Sequence, residues 1–440
     1  MVSSYPTLVI LAGGSSSRLW PLREKSLVKF LDKPLLEHQL ETYVELGFRN
    51  IVVVCNPDNQ NPIRDILVKF DHKIEFQTFV QTQPKGMGDA LLTLEPMLAS
   101  VADPMPVYIC QVHDIFDQSL HRTMLRAYLD NSQITWLASY RVEDYFPGGY
   151  LVVDDELKIT NIIEKPPQGE EPSDLVNIVA HIHPDLRRLL NQVRLEYAHD
   201  NPHDDHYERA MAELMDVTPF KAIPYQGPWQ PVKYPWHVLE AMNDYLGTIE
   251  HHIADGVDME DSVHISGPVY IEKGVRLLHG ADIRGPAYIG ANSLIGQYSH
   301  VRDSMISRNS IIGIGSEVNR SYIGQGARLH AAKVLDAILA DNAGLDEHVN
   351  LSAGMITANF RADAGHVKST VKGQRVDTGR TKFGAVIGAG SFVGIGAMLM
   401  PGVKIGEGCV IGPLTLVLED IPDNTLYYSE QEYVKKQISK

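Results

Sequence analysis

The sequence predicts two architectures in one chain: an α/β domain with a mostly parallel sheet, followed by a parallel β-helix of hexapeptide repeats. Over about the first 235 residues, short apolar runs alternate with stretches of helical spacing, the pattern of strands joined by crossover helices. Beyond that region aliphatic residues recur every six positions, at Ile265, Ile271, Leu277, Ile283, Ile289, Ile295 and Val301, and again at Ile387, Val393, Leu399, Ile405, Ile411 and Val417. A period of six is neither helical nor a simple alternation. It places one aliphatic residue inside each short strand of a three-sided coil.

In chain order, Thr7–Ala12 is a continuous apolar run closed by Gly13 and Gly14, as in a strand buried on both faces. Leu35–Leu46 carries Leu36, Leu40, Tyr43 and Val44 at helical spacing and stops at Gly47. Ile51–Val54 and Val107–Val112 read as further strands. Asp205–Glu208 has the form of a capping box before the helix-like Ala210–Met215. Tyr234–Ile253 reads as a connecting helix, with Leu239, Met242, Leu246, Ile249 and Ile253 on one face. In the β-helix the inward residue is often followed by glycine, as at Gly388, Gly394, Gly406 and Gly412. Phe360–Phe383 breaks the period and carries Lys368, Lys372, Arg375, Arg380 and Lys382. It reads either as a solvated loop or as an anion site for a phosphorylated cofactor or a neighbouring subunit. The expected boundaries are an α/β domain at 1–235, a linker helix at 236–254, the β-helix at 255–422 and a tail at 423–440.

Composition narrows the function. With 39 basic and 55 acidic residues in 440, the formal net charge is −16, which argues against nucleic acid as the main partner. The hydrophobic fraction of 44% and charged fraction of 21% fit a globular chain. Cys55, Cys110 and Cys409 are too few and too scattered for a disulfide framework or a paired-cysteine metal motif. No signal-peptide pattern and no run long enough to cross a membrane is found, so the expectation is a cytoplasmic protein without a membrane partner.

The string Leu11-Ala-Gly-Gly-Ser-Ser-Ser-Arg-Leu-Trp-Pro-Leu22 follows the first strand. Its small residues let backbone N–H groups approach a phosphate closely, and Arg18 can add a charge-assisted fork. Together with Lys33-Pro-Leu-Leu-Glu-His38, this string closely resembles the opening of the sugar-1-phosphate nucleotidylyltransferases. The likeness continues in Gln81–Ala90, in Asp114, in Gly148-Gly149, Glu164-Lys165-Pro166 and Asn177, and in Tyr234-Pro-Trp236. Asn350–Phe360, Val367-Lys-Ser and Gly379-Arg resemble the left-handed β-helix of bifunctional relatives such as N-acetylglucosamine-1-phosphate uridylyltransferase.

The resemblance implies a Rossmann-like nucleotidyltransferase domain and a left-handed parallel β-helix. It implies transfer of a nucleotidyl group from a nucleoside triphosphate to a sugar-1-phosphate, with release of pyrophosphate. Arg18 and Lys25 would be catalytic; Lys25 is reached by counting eight residues back from Lys33, and Lys29 is the second choice. Leu11, Ala12, Gly13, Gly14, Ser15, Gln81 and Gly86 would bind the nucleotide, and Asp114 would bind Mg²⁺. Gly149, Glu164, Lys165 and Asn177 would hold the sugar phosphate. Asn359 and Lys368 match an acyltransferase site that would use acetyl-CoA, and the β-helix implies a homotrimer or a multiple of one.

Several positions depart from the family pattern. Ser16 stands for the central loop glycine, and the loop is about three residues shorter between Pro21 and Lys25. Pro231 stands for a second metal-binding Asp, His237 for an acidic residue, and Ile178-Val179 for Thr-Gly. Asp336 and Leu339 stand near where the acyltransferase pattern has its catalytic His and a Tyr, and His330 is misplaced for that role. Two other functions therefore stay open at this point: a catalytically degenerate relative that binds nucleotides as regulator or scaffold, and an acyltransferase acting through the β-helix.

Overall fold

In a computed structural model, residues 5–99, 104–199, 205–341 and 348–438 are described. They divide into two compact units, one comprising Met1–Ser15, Glu24–Val28 and Pro34–Pro231, the other Ser16–Arg23, Lys29–Lys33 and Val232–Lys440.

The first unit is built on a nine-stranded sheet. The strand Thr7–Leu11 runs parallel to Asn50–Cys55 on one side and Val107–Gln111 on the other, and Glu75–Val80 adds a fourth parallel strand beyond Asn50–Cys55. From Val107–Gln111 outward the sheet turns antiparallel through Leu175–His183, Gly149–Val153 and Ile159–Glu164. Thr135–Arg141 also pairs antiparallel with Leu175–His183, and Phe220–Tyr225 adds parallel to it. The sheet is thus mixed, with a parallel centre, rather than mostly parallel. The antiparallel strands follow one another through short connections that carry no crossover helix, and periodicity alone does not report that.

Alternate residues of the opening strand explain its unbroken apolar run. Leu8 and Ile10 join the core under the helices Leu35–Glu45 and Gln118–Asp130, whereas Val9 and Leu11 join the opposite core with Leu186–Tyr197 and His206–Leu214. Both faces are covered, so every position needs an apolar side chain. Truncating fully buried Ile10 to Ala would cost about 2–5 kcal/mol. At Asp205 the helix does begin with His206, but no side-chain cap bond forms there.

The second unit contains the helix Pro235–Gly247 and the left-handed β-helix. The helix stops six residues short of the expected Ile253, because Ile253 instead belongs to the first β-helix strand, His252–Ile253. Three parallel sheets of eight, nine and eight short strands form the sides of the coil. The hexad residues stack in register: Ile271 on Ile289, Ile306, Ile323, Leu339, Ile387 and Ile405 along one side. All seven have no exposed surface. A Cβ on Gly394 would fall 2.7 Å from the Pro413 nitrogen of the next coil, which is why glycine follows the inward residue. The basic excursion forms an antiparallel hairpin, Lys368–Val371 against Gln374–Asp377.

Candidate active site

The carboxyl ends of parallel strands are where open α/β sheets receive ligands, since crossover loops and helix starts converge there. In the first unit, the ends of the four parallel strands bring together the turn at Gly13-Gly14, Asn56, Gln81 and Asp114.

A polar clamp fixes the turn. Asn59 Nδ2 donates to the Ala12 carbonyl at 2.9 Å and to Glu24 Oε2 at 2.9 Å, while Asn56 Nδ2 donates to Glu24 Oε1 at 3.2 Å. The two asparagines also bind each other: the backbone N–H of Asn56 donates to Asn59 Oδ1, and that of Asn59 to Asn56 Oδ1. Burial pushes the Glu24 carboxyl above the usual range, partly offset by the asparagine hydrogen bonds. Holding the Ala12 carbonyl to the rear keeps the backbone of the glycine turn in one orientation.

Gln81 lies against this turn. A Cβ on Gly13 would sit 2.5 Å from Gln81 Oε1, so only glycine lets the two approach. Gln81 Nε2 donates to the Gly86 carbonyl at 3.0 Å and to Asp89 Oδ2 at 2.8 Å. Gly86 has φ 95°, a left-handed conformation that favours glycine, and it starts the short helix Met87–Leu92.

Asp114 begins the strand Asp114–Phe116, which pairs antiparallel with Trp229–Pro231. The carboxylate is buried, and Oδ1 accepts a hydrogen bond from Trp229 Nε1 at 3.0 Å. Pro231 is its direct partner across the pair. On the antiparallel side of the sheet, Gly149 pairs with Glu164, and a Cβ on Gly149 would meet Glu164 Oε2 at 2.9 Å and Asn177 Cβ at 3.8 Å. Lys165 Nζ lies 2.7 Å from Glu164 Oε1. The structure therefore brings Gly149, Glu164, Lys165 and Asn177 into one cluster.

Residues 7–208 match the nucleotidyl transferase family model, and residues 384–418 match the bacterial transferase hexapeptide model of six repeats. A bifunctional sugar-1-phosphate nucleotidylyltransferase/acetyltransferase from Sulfurisphaera tokodaii is 31% identical over 427 residues, covering 94% of this chain and 97% of that protein. The chain belongs to the sugar-1-phosphate nucleotidylyltransferase family. The bifunctional protein GlmU of Methanocaldococcus jannaschii is 29% identical over 437 residues, covering 98% and 99%. That of Sorangium cellulosum is 24% identical over 471 residues, covering 96% and 93%.

The remaining expected residues of this nucleotidylyltransferase are placed as follows. Lys25 opens a 3₁₀ turn, Lys25–Leu27, next to the clamped Glu24. Lys29 is committed elsewhere: in the second unit its Nζ lies 3.0 Å from Gln325 Oε1 and 3.0 Å from Asp341 Oδ2. Arg18 and Ser15 are exposed, and Ser16 is buried with φ 51°, so the left-handed conformation persists where the family pattern has glycine. Leu11 and Ala12 contribute backbone, Ala12 N–H being bonded to the Val54 carbonyl.

In the β-helix, Asp336 is buried, paired with Arg320 through two 2.7 Å bonds, and hydrogen-bonded by Asn359 Nδ2. Lys368 is exposed at the start of the hairpin. The cysteines are free and buried, and burial pushes the Cys55 and Cys110 thiols up to about 12, which removes them as nucleophiles. No helix among the described residues is long and apolar enough to cross a membrane.

Sequence reasoning missed Glu24, Asn56, Asn59 and Asp89, and also His181, His183 and Tyr207. A cluster of Asn and Asp directly after an apolar run, Asn56-Pro-Asp-Asn59, was a usable signal for a strand-end clamp. So were two histidines at alternate positions of a largely apolar strand.

Proposed function

We propose that this protein transfers a nucleotidyl group from a nucleoside triphosphate to a sugar-1-phosphate and releases pyrophosphate, using the cleft edge of the first unit. The observation that carries the reading is the seat formed by Gly13 against Gln81, with Gly86 and Asp89 fixing the glutamine amide. With its NH₂ group spent on Gly86 and Asp89, Gln81 leaves its Oε1 acceptor, together with backbone groups, beside a turn suited to phosphate.

The nucleophile in this reaction is the sugar phosphate oxygen, already an anion. The protein's tasks are alignment and compensation of charge at the α-phosphate. Gly13, Gly14 and Ser15 supply the turn, and Leu11 and Ala12, whose backbone groups are bonded to Val112, Val54 and Asn59, anchor it. Lys25 and Arg18 supply positive charge toward the α-phosphate and the leaving pyrophosphate. Gly149, Glu164 and Asn177 hold the sugar, and Lys165 its phosphate. The sugar-side assignments rest on the cluster of Gly149, Glu164, Lys165 and Asn177, whereas those of Arg18, which belongs to the second unit, and Lys25 rest on the family motif alone.

Asp114 is the side chain to hold Mg²⁺. It is a hard carboxylate, but Trp229 occupies Oδ1 and a proline stands opposite. No group of three or more His, Cys, Asp or Glu suited to a metal occurs among the described residues. This donor set fits Mg²⁺ carried in with the nucleotide, since the ion commonly takes one or two carboxylates plus phosphate oxygens and water. When bound, the ion would neutralise phosphate charge.

Acetyl-CoA enters only if the second half acts as an acyltransferase. Asp336, near the expected position of the base, is committed to its ion pair with Arg320, which engages both carboxylate oxygens. Asn359 spends its amide on the same carboxylate.

The proposed boundaries are an α/β domain to about residue 235, a linker helix ending at Gly247, a β-helix from His252 to Tyr427 and a tail beyond it, and the proposed compartment is the cytoplasm. Assembly as a homotrimer or a multiple of one is supported by apolar rows left outside the coil. Phe392, Val410 and Leu426 stack on one side, and Ile356, Met398 and Leu416 on another, each at least 37% exposed. Contiguous exposed rows of this kind mark protein contacts, and cyclic symmetry closes them. Light scattering on the full chain tests this, a stable monomer at micromolar concentration being the contrary result. The function itself is tested by Mg²⁺-dependent pyrophosphate release across a panel of nucleoside triphosphates and hexose-1-phosphates. Nucleotide binding without turnover on any pair would leave a regulator or scaffold as the answer.

A further inference from the structure

We propose that His183, Tyr207 and His181 form a buried, directional hydrogen-bond relay that fixes the amide of Asn177 with its NH₂ group presented to the sugar-1-phosphate. This makes the three side chains positioning residues for the acceptor substrate. The inference rests on the function proposed above.

The strand Leu175–His183 is the starting point. Residues four apart on a regular strand lie about 13 Å apart, yet His181 Nε2 is 2.9 Å from Asn177 Oδ1. The register shift between Asn177 and His181, where the strand pairs with Thr135–Arg141, makes this possible. A bulge folds the strand so that a buried imidazole reaches the amide beside Gly149 and Glu164.

From His181 the network runs inward. Its Nδ1 is 2.9 Å from the Tyr207 hydroxyl, which is also 2.9 Å from His183 Nε2. All three side chains are at most 2% exposed. The Tyr207 ring lies parallel to that of His181, at an interplanar angle of 7°, and meets His183 edge-on.

The chemistry selects one direction. A tyrosine hydroxyl has a single proton, so it donates to one imidazole and accepts from the other. Asn177 Oδ1 can only accept, so the single N–H of the neutral His181 ring sits at Nε2. With N–H at Nε2 facing Asn177 Oδ1, Nδ1 is left as the acceptor for Tyr207. Tyr207 then accepts from His183 Nε2–H. Burial holds both rings neutral, far below the usual histidine range for His181 and at about 3 for His183. Neutrality is required at His181, whose Nδ1 must accept from Tyr207; an imidazolium there has no acceptor nitrogen and would break the chain.

The consequence lies at Asn177. With Oδ1 held from behind, Nδ2 becomes the group available for contact, a pair of donors suited to phosphate or hydroxyl oxygens. Asn177 is half-buried, and the structure gives its Nδ2 no other hydrogen bond among the described residues.

The test uses the full chain. Long-range ¹H–¹⁵N correlation spectra should show His181 as the neutral Nε2–H tautomer, unchanged between about pH 5.5 and 8. Tyr207→Phe should raise the KM for sugar-1-phosphate roughly tenfold, the scale of one lost hydrogen bond, while the nucleotide KM and kcat stay within about twofold. Asn177→Asp retains the acceptor for His181 but loses the donor. It should give the same split without lowering the melting temperature, which covers the case in which Tyr207→Phe folds poorly. His183→Gln keeps an N–H donor and should retain most of the affinity. An Nδ1–H tautomer, or an unchanged sugar KM in Tyr207→Phe and Asn177→Asp, would overturn the relay. Absence of transfer in the parent would count against the proposed function alone. Hexose-1-phosphate affinity by calorimetry, compared for the parent and the same variants, would then decide the relay with the same expected ratios.

Discussion

Pro231 faces Asp114 in register across the short antiparallel pair of Trp229–Pro231 and Asp114–Phe116. A side chain that cannot ligate therefore occupies the place nearest the candidate Mg²⁺ carboxylate, and the adjacent Trp229 takes one of the carboxylate oxygens. One protein carboxylate leaves much of the ion's coordination to phosphate oxygens and water.

Restoring a second carboxylate should relax this dependence. Pro231→Asp is expected to lower the Mg²⁺ concentration for half-maximal turnover several-fold at fixed nucleotide. A magnesium titration of initial rate reads this directly. An unchanged midpoint would show that the ion binds away from this strand pair.

The two glycines of the turn should respond differently to a methyl group. At Gly13 a Cβ would overlap Gln81 Oε1 at 2.5 Å, whereas at Gly14 nothing lies within 4 Å. Gly13→Ala should weaken nucleotide binding by about tenfold or more, because the glutamine must leave its seat. Gly14→Ala displaces no protein atom and should weaken binding less. Calorimetry with the preferred nucleotide separates them, and equal losses would mean that the seat is not the nucleotide contact.

The neighbouring lysines divide charge compensation from structure. Lys29→Ala removes one partner of a largely buried ion pair with Asp341 and should cost about 3 kcal/mol of stability with little change in kcat. Lys25→Ala should leave the melting temperature near that of the parent and cut kcat by about 10²–10³. The reverse pattern in a paired melting and turnover assay would exchange their roles.

Acid should weaken the first unit through its buried histidines. His183 has a folded pKa of about 3 against about 6.5 unfolded, so below pH 6.5 the unfolded chain binds more protons. Stability is unaffected above that pH and falls as pH drops from 6.5 toward 3, by about 2 kcal/mol at pH 5 for this residue. His183→Gln should flatten the decline in melting temperature between pH 7 and 5. A slope identical to the parent's would show that His183 is already protonated in the fold.

Much of the architecture was legible because periodicity reports burial. The hexad from Ile265 to Val301 occupies successive sides of the coil, and the alternation in Thr7–Leu11 divides between two cores. The middle of the β-helix was not legible, since the coil continues through Ile306, Val318 and Ile323 with some steps of five residues that break the period. Motif reading named Gly13, Gln81, Gly149, Glu164 and Asn177, which are held in two tight clusters. It passed over Glu24, Asn59 and His181, because each acts through a hydrogen bond to a residue distant in sequence or across a bulge. Spacing along the chain carries no trace of such contacts.

Nucleotidyl transfer is tested most directly by ³¹P spectroscopy of the full-length protein with Mg²⁺, a nucleoside triphosphate and a hexose-1-phosphate. Sugar nucleotide and pyrophosphate should appear in equal amounts, only when both substrates are present, and Lys25→Ala should slow the growth of both signals by about 10²–10³. Triphosphate consumed without the sugar, or left intact with every sugar-1-phosphate supplied, would contradict it.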